Sequence, residues 1–240
     1  MYTACLRWPA KRKKGENMSE RERKEALLRK LNKLEAYHEI QNEMGRLTAA
    51  FNFHQREAVA EHFAWEMEDV SVEYADEGRF EGKKAVEAVL DMLLGKPAEP
   101  GEMLDMQLTT PMIEVADDLR TAKCVWWCPG AGAWKNEEGA HAIWVWGQVA
   151  ADFIFTEKRE WKVWHLHYFR FIKCAYEKGW VEDTSMIHRA NTAMHPESLP
   201  GTYHNPYSPL SVREGIPAMP LPYQTYRKED RYWELSRDKR

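Results

Sequence analysis

The run Trp161-Lys162-Val163-Trp164-His165-Leu166-His167-Tyr168-Phe169-Arg170 has strand character and carries two histidines at i and i+2. Side chains alternate along a strand, so His165 and His167 are expected on one face, with Trp161 and Val163 on the same face. Imidazole is the side chain whose ordinary pKa lies near neutrality, so two of them at the end of an apolar face form a candidate acid/base centre. The competing expectation is a pair of hydrogen-bonded core or interface histidines. On Trp144–Asp152 the even-numbered residues share a face, and that set includes Trp144, Trp146, Gln148 and Asp152. If it is the concave face, the pocket has aromatic walls. Asp152 beside a histidine of the adjoining strand would then fix the tautomer and raise the imidazole pKa. Tyr74 ends another alternating run and could stabilise a developing oxyanion. His54 and Arg170 are further candidates.

These residues need elements to hold them. Ser19–Leu47 has leucines and other apolar residues at helical spacing, with a highly charged first half expected to be exposed or packed on another subunit. A second helix is expected over Gln55–Trp65, a strand over Val70–Tyr74 and a short helix over Lys83–Leu94. Strand patterns follow at Met106–Val115, broken by Pro111, at Thr121–Trp127, at Ala142–Phe155 and at Trp161–Ile172. A loop is expected at Pro129–Gly132. Strands apolar on both faces must be covered on both, by helices on one side and by a partner subunit or the chain's own tail on the other. From Glu177 onward, prolines and tyrosines punctuate the sequence, so residues 177–240 read as an extended tail packed on their own or a neighbouring subunit. Residues 1–18 read as a disordered basic tail, with Met18 a candidate natural start.

The net charge of −4 gives no electrostatic case for nucleic acid, and no apolar run reaches membrane-spanning length. Cys5, Cys124, Cys128 and Cys174 have no zinc spacing, which suggests a reduced, cytoplasmic protein. A metal site on His165 and His167 would need a third ligand such as Asp152 or His141.

The order helix, helix, strand, helix, then long antiparallel strands resembles the SnoaL-like (nuclear transport factor 2-like) superfamily over roughly residues 37–176. Three segments carry the resemblance. They are Ile40 to Phe63, Phe80-Glu81-Gly82-Lys83-Lys84-Ala85-Val86, and Thr109-Thr110-Pro111-Met112-Ile113-Glu114-Val115 followed by Asp117 and Thr121-Ala122. It implies an α+β fold, a cone-shaped curved antiparallel sheet wrapped around helices with an apolar pocket inside. The scytalone dehydratase and bile-acid 7α-dehydratase type looks nearest, which implies a cofactor-free lyase using Tyr, Asp and His in the pocket. Tyr74 matches the strand position of a pocket tyrosine, and Asp152 falls at a pocket asparagine. The family's aspartate and histidine positions hold Asn52 and Gln107, and its helical tyrosine position holds Leu47.

The expected activity is therefore a cofactor-independent elimination, by dehydration or retro-aldol cleavage, of an aromatic or polycyclic molecule. Its expected catalytic set is Tyr74, His165, His167 and Asp152. Asn52, His54, Gln107, Trp144, Trp146, Gln148 and Arg170 are expected to contact substrate. The alternatives are a non-catalytic ligand-binding or oligomer-forming protein, or an isomerase using the same pocket. The doubly apolar strands imply a homo-oligomer, a dimer or trimer.

Overall fold

The structure, a computed structural model, describes residues 18–187 and 195–231. The expected tail 1–18 thus lies almost wholly outside the described residues. Helix α1 (Glu20–Asn52) starts at a capping box, in which Ser19 and Glu22 satisfy each other's backbone N–H groups. Ala36, Ile40, Met44, Leu47 and Ala50 recur on one of its faces and are buried. Helix α2 (Arg56–Ala60) is shorter than the expected 55–65. Its continuation is captured by the sheet, because His62 O accepts from Val163 N (2.9 Å) and Ala64 N donates to Val163 O (2.9 Å). Helix α3 (Lys83–Leu94) turns Val86, Val89 and Leu90 inward.

Seven strands form one curved, unclosed sheet: β1 (Ser71–Tyr74), β2 (Arg79–Glu81), β3 (Met103–Met106), β4 (Thr109–Val115), β5 (Thr121–Asn136), β6 (Gly139–Phe155) and β7 (Trp161–Ala175). The order is β2-β1-β7-β6-β5-β3, with β4 also paired to β5, and only the β1–β7 pairing is parallel. The loop expected at Pro129–Gly132 is instead the middle of β5. Gly130 and Gly132 pair with Met106 and Leu104, and a Cβ at Gly130 would lie 2.5 Å from the Met106 sulfur. The glycines therefore admit a close neighbouring strand rather than breaking their own. The stretch 106–115 divides between β3 and β4, with a register shift between Thr109 and Met112, around Pro111.

The two faces of the sheet are covered differently. The inner face meets α1–α3 in a core that includes Ile40, Met44, Val72, Val86, Trp126 and Phe153. The outer face carries Val125, Ala150 and Phe169, packed by Tyr203 and Ile216 of the C-terminal segment. That segment is largely irregular, and its described part is laced to the chain's own sheet. Tyr207 N donates to Phe171 O (2.8 Å), Asp117 N to Tyr223 O (3.0 Å), and Leu199 and Arg79 exchange backbone bonds.

Candidate functional site

Two tyrosines meet inside the sheet. Tyr74 on β1 pairs in register with Tyr168 on β7, and their rings lie 5.6 Å apart. They line an internal cavity of about 80 Å³. Its other walls are apolar and come from α1, α2, α3 and the sheet, among them Met44, Leu47, Phe51, Val89, Leu93 and Leu166. Cys128 also lines it, and burial pushes its thiol up to about 12, so it stays protonated. Tyr168 Oη is buried and has no hydrogen-bond partner among the described residues. Burial holds both phenols above the ordinary tyrosine range, so at neutral pH both are hydrogen-bond donors and neither is a base.

A buried ion cluster stands beside this pair. The Arg170 guanidinium lies 5.7 Å from the centre of the Tyr74 ring, donates to the fully buried Asp76 and sits 3.5 Å from Glu77. Arg170 was expected to contact substrate; the structure places it next to a pocket tyrosine. Asp76, Glu77 and Tyr168 lie outside the set of site residues that the sequence pattern points to. Tyr168 shares the face of Leu166, opposite the histidines, and only the extra residue at Trp164 makes that face the inner one.

The expected acid/base set is divided between the faces. Asp152, His165 and His167 do not line the cavity; they face outward. The cause is a β-bulge, since Asp152 pairs with His165 but Phe153 pairs with Val163, leaving Trp164 as the extra residue. An inserted residue inverts the alternation, so Trp161 and Val163 point into the inner core while His165 and His167 point out. The even-numbered set of β6 does share a face, but it is the outer one. There Asp152 Oδ2 lies 2.9 Å from His165 Nδ1 and accepts from Tyr226 Oη (2.9 Å), while Oδ1 accepts from Lys123 Nζ (3.1 Å). His167 Nε2 is 3.3 Å from Glu73 Oε1, and burial pushes the His167 ring well below its ordinary pKa. Glu73 accepts from Thr202 N (2.6 Å) and Thr202 Oγ1 (2.8 Å), and burial raises it to about 7 against the pull of those bonds. The histidines thus lie beneath the chain's own C-terminal segment.

The remaining expected contacts also lie away from the cavity wall. The Asn52 amide is occupied by Met106, donating to its O (2.9 Å) and accepting from its N (3.0 Å), which clamps the end of α1 to β3. His54 takes the left-handed turn that ends α1 (φ 54°). Gln107 is exposed and donates to Asp105. Gln148 accepts from Arg213 of the tail (3.0 Å). Trp144 and Trp146 pack with Tyr176 and Trp180, respectively, at the sheet's outer end. Among the described residues, no three His, Cys, Asp or Glu are grouped as metal ligands, and no helix is long and apolar enough to cross a membrane.

Residues 32–167 match the SnoaL-like domain, more than half of the chain, and the chain belongs to that family. No curated protein matches it. Solved structures that resemble it include a scytalone dehydratase-like protein from Novosphingobium aromaticivorans, 16% identical, with 60% of this chain and 89% of that one covered at a TM-score of 0.48. The hexachlorocyclohexane dehydrochlorinase LinA-type3 from Novosphingobium barchaimii is 13% identical, with 61% and 93% covered at 0.48. ActVI-ORFA from Streptomyces coelicolor is 12% identical, with 56% of this chain and 96% of that one covered at 0.43.

Proposed function

We propose that the chain is a cofactor-independent lyase that takes an aromatic ring with an oxygen function into the inner cavity, and that Tyr74 and Tyr168 hold that oxygen. One observation carries this reading. In an otherwise apolar cavity, the Tyr168 hydroxyl is buried without a partner among the described residues, and leaving it so costs about 1–3 kcal/mol. A ligand oxygen placed there recovers that cost and orients the ring against the apolar wall. Two neutral donors are suited to a carbonyl oxygen that becomes an enolate. In dehydration, solvent water takes the proton from the adjacent carbon, after which the β-hydroxyl leaves as hydroxide and recovers that proton as water. In retro-aldol cleavage, water takes the β-hydroxyl proton, the carbon–carbon bond breaks to release a small aldehyde, and the enolate carbon takes the proton back. Arg170 is a positioning residue, its cation held near the Tyr74 ring by Asp76 and Glu77. The cavity accepts one ring; the half-buried Phe51, Leu93 and Leu108 must shift for anything polycyclic.

The second reading is a carrier of the same ligands without turnover. It is favoured by one feature: no His, Asp or Glu is among the described residues that line the cavity. Both readings are tested by incubating the protein with phenols and aryl ketones bearing a β-hydroxyl, following binding by thermal shift and products by mass spectrometry. The lyase reading expects binding and a product short of water or aldehyde, with Tyr168→Phe losing about tenfold or more in turnover while keeping the fold. Ligands recovered unchanged at full occupancy would establish the carrier. Equal binding and turnover in the wild type, Tyr74→Phe and Tyr168→Phe would remove the tyrosine pair from either role.

A further inference from the structure

The N-terminal half of α1 is apolar on a side that the fold leaves uncovered. Leu27, Leu31 and Leu34 recur at spacings of four and three, with Leu28 beside them, and their exposures are 66%, 59%, 59% and 48%. At about 100° per residue, the first three point away from the helix face that carries Ala36, Ile40, Met44 and Leu47 onto the sheet. The helix therefore has two apolar faces, an inner one in its C-terminal half and an outer one in its N-terminal half. No described part of the chain lies over the outer one.

We infer that this leucine stripe is the seam of an antiparallel α1–α1 pairing between two copies of the chain. The four-three spacing is that of a helix–helix seam, and a pairing about a two-fold axis lets one short stripe serve both partners. Setting Leu27 against Leu31 of the second copy buries both twice and brings Leu28 to its own counterpart across the axis. It also places Arg21 on the same flank as Glu35 of the second copy, again twice, and both residues are exposed. The opposite flank brings the two copies of Lys30 together, a like-charge meeting at an exposed rim that water and salt screen. The antiparallel arrangement thus sets opposite charges together on one flank, at both ends of the seam.

The test is sedimentation equilibrium on the full chain over a range of micromolar concentrations. A dimer is expected. Leu27→Glu with Leu31→Glu should make it a monomer with an unchanged circular dichroism spectrum, since both leucines lie outside the core. Arg21→Glu should raise the dissociation constant severalfold, and adding Glu35→Arg should restore it. A monomeric wild type overturns the inference, as does a dimer indifferent to the two leucine changes. Two such monomer results identify another occupant: binding to vesicles of anionic phospholipid, or dimerisation only after residues 1–17 are removed.

Discussion

Replacing Glu73 by Gln should make the protein more stable at alkaline pH, although it removes a buried carboxylate that accepts from both the N–H and the hydroxyl of Thr202. Glu73 is fully buried on the outer face. Burial raises its pKa to about 7 from an ordinary 4.5, with Thr202, the Tyr203 backbone and the Arg79 charge opposing the shift, and His167 stands 3.3 Å away. A carboxyl whose folded pKa lies above its unfolded one binds its proton more tightly when folded. Its ionisation therefore costs stability progressively from about pH 4.5 to about pH 7, and the full cost remains at higher pH. The gap corresponds to about 3 kcal/mol. The glutamine amide is isosteric: its oxygen still accepts from the Thr202 N–H, and its nitrogen can donate to the Thr202 hydroxyl or the neutral His167 ring.

The quantity to follow is the difference between variant and wild type in urea unfolding free energy from pH 4.5 to 8. The wild-type curve alone would mislead, because His167, held below its ordinary pKa by burial, contributes the opposite slope: its stability is lost as pH falls below about 6.5. The difference should be near zero at the acid end and grow to about 3 kcal/mol in favour of Gln at pH 8. A difference that is flat across this range, or that favours Glu73 more strongly as pH rises, would refute the reasoning.

Three further outcomes follow from the same geometry. Asp152→Asn weakens the buried contacts to Lys123, His165 and Tyr226 together and should cost about 3 kcal/mol of unfolding free energy, with Tyr226→Phe costing about 1. Gly147→Ala places a Cβ 2.5 Å from Phe169 O and from a Tyr168 ring carbon, so a fall of about 2 kcal/mol is expected, with a changed near-ultraviolet circular dichroism spectrum as Tyr168 is displaced. Asn52→Ala strands the backbone N–H and C=O of Met106 and should cost about 2 kcal/mol in thermal or urea unfolding, which would mark Asn52 as a clamp and not a substrate contact.

Much of the fold was legible because hydrophobic periodicity is a local property. The α1 face that carries Ile40, Met44 and Leu47, the amphipathic α3 and the alternation in β1 each declare themselves in a few residues. So did Tyr74, whose alternation with Val72 sets both on the inner face. What the sequence could not reveal was the parity of β7. A single extra residue at Trp164 moves His165 and His167 from the face of Val163 to the opposite one, and nothing in the local pattern marks that insertion. With it moved the expected Asp–His pair, which exists at 2.9 Å but beneath Tyr226 and the tail.

The sequence by itself therefore determined the elements, their order and the apolar character of the interior, because these depend on residue type and near-neighbour spacing. Only the tertiary structure decided which polar groups share the interior. That choice is made by pairings between residues far apart in the chain, Tyr74 with Tyr168 and Asp76 with Arg170 inside, and Glu73 with Thr202 outside. A strand's register and the path of a proline-rich tail fix those pairings, and neither is written in any one segment of the chain.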